Sequence, residues 1–303
     1  MNAIIRNKQI WGVLAAFVAF CIFGVSSILT KDLTNSGLFS PLALVTFRIV
    51  GACVLFWLLS PVMGAEKVQL KDLLLLIPAS LVHMVIAKIA TIQSIVYSTP
   101  FDSSMIATLK PLFTLSLAAI ILKMRVSIWH IVGILLGMLG IYLLVVSSGK
   151  MPVEVGTRPI GAMFALLNCL CSSIYIVVFR TLILKYKPIT ITKWIFLLAS
   201  IILLPFAVHD IISIEYAAVS SGIWMELCFI IVCATFITYF LTSIGHKYLQ
   251  PVTYSVFTYF QPLVAAILGV IVGMDVFSWE KGAAVVLMIA AVIMVNLKNT
   301  KNA

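Results

Sequence analysis

Lys110 and Pro111 stand in the middle of the apolar run ATLKPLFTLSLAAI, residues 107–120. In lipid the lysine would carry an unneutralised charge, and the proline would leave a backbone carbonyl without its donor. If the segment enters as a helix from the outer face near residue 101, Lys110 lies about 13 Å from that end, at about 1.5 Å per residue. It is further still from the inner end, and a lysine stem snorkels only a short way. Facing lipid would cost about 2.5–3.5 kcal/mol. Lys110 is therefore expected to face the interior, either as a substrate or coupling cation or as a structural donor to carbonyls freed near the proline.

Two further cations, Arg48 and Lys88, fall inside apolar runs. Their structural alternatives are pairing with Glu226 or Asp102, or reaching the outer interface. The ten acids are Asp32, Glu66, Asp72, Asp102, Glu154, Asp210, Glu215, Glu226, Asp275 and Glu280, all in loops or near the ends of apolar runs. With no carboxylate at mid-depth, a cation pump built on an embedded acid is disfavoured. An unbalanced positive interior suits a substrate bearing a carboxylate or phosphate.

The elements that must position these groups are apolar helices. The 303-residue chain is 63% hydrophobic and 10% charged, against about 25% charged in soluble domains. Ten apolar spans are expected, at 9–30, 41–60, 72–97, 101–122, 127–147, 159–181, 189–208, 222–248, 251–273 and 278–297. Each is long enough for a hydrocarbon core of about 30 Å, and none shows barrel alternation. The net charge of +10 comes from single or paired basic residues at span ends, a pattern of membrane orientation rather than of nucleic-acid binding. With both termini cytoplasmic, inner segments hold Lys67, Lys71, Lys123, Arg125, Lys185 and Lys187 among others, while outer ones hold Lys31, Lys150, Arg158 and Lys281. The six cysteines all lie in apolar spans and propose neither a disulfide framework nor a metal site.

Two segments look alike. TPFDSSMIATLKPLF has prolines at 100 and 111, and QPVTYSVFTYFQPLV has them at 251 and 262, an offset of 151 in both cases. At that offset Thr91 falls on Thr242, Tyr97 on Tyr248, Lys88 on Tyr239 and Lys110 on Gln261. Upstream the offset is 149, placing Gly12 on Gly161 and Lys31 on Arg180. Residues 1–150 and 151–303 thus read as two five-helix copies. Five is odd, so the second copy is inverted: Lys123 and Arg125 become Met274 and Val276, and the 209–221 loop has no Lys or Arg. Inverted repeats rocking about a central site characterise secondary transporters.

The expected site follows from the repeat. Ser103, Ala107, Lys110 and Thr114 share one helix face, and Tyr254, Thr258, Gln261 and Ala265 are their partners. Pro111 and Pro262 are expected to break these helices where freed carbonyls line a cavity. Tyr239 and Thr242 would line it from the eighth span. Asn168, Ser172 and Tyr175 share a face of the sixth, with polar glue between helices as the alternative. His83 is a candidate proton relay or a backbone-bonded histidine.

These features resemble the drug/metabolite transporter superfamily, specifically its EamA-like members of about 300 residues and ten helices. The carriers are the P-x10-P fourth and ninth spans, and the openings WHIVGILLGMLGIYL and WEKGAAVVL of the fifth and tenth. Met124 stands where such proteins often carry a glutamate, and a lysine before the helix-four proline departs from the pattern. The resemblance implies an all-α permease of the plasma membrane with a central cavity, often exporting or exchanging amino acids and related metabolites. Its expected partners are a small-molecule substrate and lipid, with coupling to a proton or an exchanged solute. No cofactor or metal is expected, and no phosphate-cradling GxxxxGK[ST] is present. The alternatives are a broad-specificity drug exporter and an intramembrane enzyme. The latter lacks HExxH and GxSxG motifs.

Overall fold

A computed structural model describes residues 2–97, 103, 106–147, 158–271 and 279–297. The elements are α1 (Asn2–Asn35), α2 (Pro41–Leu59), α3 (Leu70–Ser80), a π turn (Leu81–Ile86), α4 (Ala87–Tyr97), α5 (Lys110–Ile121) and α6 (Ile128–Ser147). Then come α7 (Arg158–Val178), α8 (Arg180–Lys185), α9 (Pro188–Ile212), α10 (Ser221–Ile231), a second π turn (Val232–Ile237) and α11 (Thr238–Tyr248). The chain closes with α12 (Pro251–Val256), a 3-10 turn (Phe257–Tyr259), α13 (Phe260–Ile271) and α14 (Trp279–Leu297). No strand occurs among the described residues.

Six described helical stretches are long and apolar enough to cross a membrane: Lys8–Asn35, Pro41–Leu59, Leu70–Tyr97, Pro159–Val178, Pro188–Ile212 and Ser221–Tyr248. The protein is a multi-pass membrane protein. Its boundaries have local causes. α1 runs past the expected end at residue 30 to Asn35, with the Thr30 and Thr34 hydroxyls bonded to backbone carbonyls of the helix itself. The helix stops before Gly37, whose φ of +70° only glycine adopts easily. Ser40 then caps α2, accepting from the Ala43 amide at 3.0 Å with Pro41 in the first turn. The expected span 159–181 is two helices, because the chain breaks at Phe179 before α8.

The element bounds repeat. α3, the first π turn and α4, moved by 151 positions, coincide with α10, the second π turn and α11. Each π turn inserts one extra residue into the helical ladder. Packing is exchanged between the halves: α1 lies against α11 and α13, whereas α7 lies against α4 and α5. α2 packs on α9, and α6 on α14.

Two basic residues tie each half together internally. Lys31 Nζ donates to the Ile95 carbonyl at 2.9 Å, and Arg180 donates to the carbonyls of His246 and Leu249. Lys31 and Arg180 are partners at 149, and Ile95 and His246 are partners at 151. One bond is thus made twice.

Candidate functional site

Both helices that carry the central prolines are interrupted just before them. Thr108 and Leu109 form a turn ahead of α5, and Pro111 sits in the first turn of that helix. Phe257–Tyr259 wind as a 3-10 turn ahead of Pro262. Lacking an N–H, Pro111 cannot donate to the Ala107 carbonyl, nor Pro262 to that of Thr258. Ala107 and Thr258 both line a central cavity of about 100 Å³.

Three cations reach that cavity: Arg48 from α2, Lys88 from α4 and Lys110 from α5. Arg48 is 8% exposed, and its one hydrogen bond to a described residue runs from Nε to Thr235 Oγ1 at 3.2 Å. Thr235 lies in the second π turn and returns its hydroxyl to the Ile230 carbonyl five residues back. That leaves four guanidinium N–H donors for a guest. Lys88 Nζ stands 4.8 Å from the Tyr239 ring centre and 5.4 Å from that of Phe23. Lys110 Nζ stands 5.8 Å from the ring centre of Tyr254. Aromatic faces partly stabilise a cation without neutralising it.

Among the described residues no carboxylate lines the cavity, and the ion pairs are Lys185–Asp72 and His209–Asp210, away from it. The pairing of Arg48 with Glu226 considered above does not form; Thr235 takes its place. Asp102, the other candidate partner, lies outside the described residues.

Ten of the twelve predicted side chains share this wall: Arg48, Lys88, Ser103, Lys110, Asn168, Tyr239, Thr242, Tyr254, Thr258 and Gln261. Ser103 Oγ sits 2.5 Å from Ser94 Oγ, and Asn168 Oδ1 accepts from Ser172 at 3.1 Å. Gln261 Nε2 donates to Ser27 Oγ at 3.0 Å. Thr114 and Tyr175 stand behind the wall. The Thr114 hydroxyl bonds the Lys110 carbonyl and Ser173, joining α5 to α7. The Tyr175 ring stacks on His83 at 4.0 Å.

Sequence reasoning missed Ser26, Ser27 and Thr30 of α1 and His246 of α11, which also line the cavity. The small polar cluster SSILT inside the first apolar run was the available signal. His83 and His246 sit 6.2 Å apart, and His246 lies 4.1 Å from Tyr254. Four buried polar atoms of this wall form no hydrogen bond with described residues: His83 Nδ1, His246 Nε2, Tyr239 OH and Thr258 Oγ1. Buried polar groups normally find partners, and an orphan costs about 1–3 kcal/mol. A polar guest supplies what they lack.

The comparisons with known proteins agree with this architecture. The sequence pattern of the EamA-like transporter family matches twice, over residues 10–146 and 159–297. An "Uncharacterized transporter" of Archaeoglobus fulgidus is 28% identical over 204 residues, covering 67% of this chain and 69% of the relative. The "Uncharacterized transporter YyaM" of Bacillus subtilis is 22% identical over 272 residues, covering 88% and 89%. A protein of known crystal structure, 16% identical, superposes with a TM-score of 0.77 over 96% of this chain and 99% of its own, which is a likeness of fold.

Proposed function

Because this chain belongs to the EamA-like transporter family, we propose that it is a secondary-active transporter or exchanger of a small anionic or zwitterionic metabolite, working by alternating access around the central cavity.

 Export is the proposed direction, with an amino acid or a related carboxylate- or phosphate-bearing solute as cargo. The observation that carries it is the convergence of Arg48, Lys88 and Lys110 on one cavity that no described carboxylate lines.

The halves 1–150 and 151–303 are taken as five-helix repeats of opposite sense, giving ten helices. Support comes from the twofold family match, the coincident element bounds and the paired Lys31 and Arg180 bonds. Excess Lys and Arg in alternate loops supports cytoplasmic termini, and the plasma membrane is the proposed location. The broad drug exporter is less well supported, because pockets for drug-sized ligands measure about 300–1,000 Å³. The cavity here is about 100 Å³.

The lysines are better explained by cargo than by folding. At the same structural positions in the second half stand Tyr239 and Gln261, and the helices there form without a cation. Counterflow in proteoliposomes tests the proposal, with a panel of amino acids, organic acids, sugar phosphates and hydrophobic cations. Wild type runs beside Lys110→Gln, the residue of the second repeat. Loss of anion flux in a variant that stays folded is the expected result. Undiminished flux would make Lys110 scaffolding and remove the charge argument.

A further inference from the structure

We infer that the cargo is a small dianion, carrying two acidic groups on a short frame or a single phosphate, rather than a zwitterion. This rests on the transporter reading above and narrows it. Arg48, Lys88 and Lys110 bring three basic side chains to one cavity wall, and Arg48 and Lys88 also line a smaller pocket together. Arginine holds its charge in any protein setting. A monocarboxylate would offset one of the three charges, and a zwitterion none. The ammonium of an amino acid would also meet a wall that no described carboxylate lines. A dianion offsets two, and leaves the third for a co-transported or exchanged anion.

The cations are also divided between elements. Arg48 and Lys88 come from α2 and α4, while Lys110 comes from α5 beyond the proline break. Two charged sources suit two acidic groups. The neutral donors complete the match: the Tyr239 and Thr258 hydroxyls lack hydrogen-bond partners among described residues and can donate to acid oxygens. Size sets the upper limit. The cavity of about 100 Å³ is well below the about 300–1,000 Å³ of pockets for drug-sized ligands. Phosphate and short dicarboxylates are smaller than such ligands.

The test compares malonate with its monomethyl ester, which has nearly the same shape and one charge fewer, alongside inorganic phosphate, lactate, alanine and a hydrophobic cation. Binding to the purified full-length protein is read by thermal stabilisation, and transport by counterflow in proteoliposomes near neutral pH. Malonate or phosphate should bind at least about tenfold tighter than the monoester, the effect of one charge-assisted contact. Lys110→Gln and Lys88→Tyr should each collapse that ratio, while Lys110→Arg keeps it. Equal affinity for malonate and the monoester, with no phosphate binding, overturns the inference. So does a ratio that survives in both neutral variants. If lactate or alanine exchanges and no dianion does, the dianion is wrong but the anion or zwitterion carrier stands. If only the hydrophobic cation moves, both readings fall. Should the neutral variants not fold, the wild-type ratio decides alone.

Discussion

Gly137→Ala should destabilise the protein through one contact. Gly137 lies in α6 against Tyr259, in the 3-10 turn before Gln261. A Cβ at residue 137 would stand 1.9 Å from Tyr259 Cε2 and 2.4 Å from Cζ. Carbon atoms in contact prefer about 3.5–4.0 Å, so the ring must retreat by roughly 1.5–2 Å. It has little room: Tyr259 is 0% exposed, and its hydroxyl donates to the Ile134 carbonyl at 3.2 Å. Overpacking costs about 1–3 kcal/mol and a lost hydrogen bond about 1 kcal/mol. Alanine returns about 1 kcal/mol of helix propensity over glycine. The net loss should be about 1–3 kcal/mol. Thermal unfolding in detergent, followed by a dye that reacts with the buried thiols of Cys53, Cys169 and Cys171 as they become exposed, reads the loss. Tyr259→Ala removes the obstacle, so adding Gly137→Ala to it should cost nothing further. A single variant as stable as wild type, or a double variant worse than Tyr259→Ala alone, would refute the close approach. Counterflow should slow in Gly137→Ala even where it is folded, because Thr258 and Gln261 flank the displaced ring.

Arg180→Gln should cost about 1.5–3 kcal/mol, since the His246 and Leu249 carbonyls lose a charged donor; a thermal shift below experimental error would mean that water replaces it. Ser40→Ala should cost about 1–2 kcal/mol, removing both the cap on α2 and a 2.5 Å bond to Asp210. Its effect should be largely absent in an Asp210→Ala background only if the Asp210 bond, rather than the cap, dominates. For topology, cysteines placed singly at Lys185 and Ser213 in a cysteine-free chain should label from opposite sides of the membrane. Labelling of both from one side would contradict the proposed inversion.

Much of the architecture was legible because lipid imposes a simple rule: long apolar runs become helices whose backbone groups bond internally. Pro41, Pro188 and Pro251 each open a helix, which a proline in the first turn permits without losing a bond. The π turns were not legible, since Leu81–Ile86 and Val232–Ile237 read as ordinary apolar helix. The break at Phe179 was hidden for the same reason. At the site, Lys110 and its repeat partner stood out because charge and amide are costly at depth. Thr114 and Tyr175, expected on the wall, stand behind it because each meets a neighbour instead: the Thr114 hydroxyl meets the Lys110 carbonyl and Ser173, and the Tyr175 ring stacks on His83. Ser26, Ser27 and Thr30 were overlooked because hydroxyls bonded to their own helix cost little in lipid and leave a weak signal.

The departures from symmetry are more informative than the symmetry. The paired bonds of Lys31 and Arg180, the two π turns and the exchanged packing all recur, as a frame with two equivalent arrangements requires. A site bound to that frame need not repeat. Lys88 faces Tyr239 and Lys110 faces Gln261 in the alignment of the halves, so the positive charge belongs to one half only. Rocking the halves would then carry the cations past a wall of neutral donors. The cavity's charge would follow the first half, and its cargo would leave when the neutral donors of the second half draw away from those cations. A carrier built so should move fastest when it returns loaded, because the empty cavity keeps its cations uncompensated during the return. Exchange of external against internal dianion should therefore outrun net efflux, and equal rates would place the neutralising group in the protein itself.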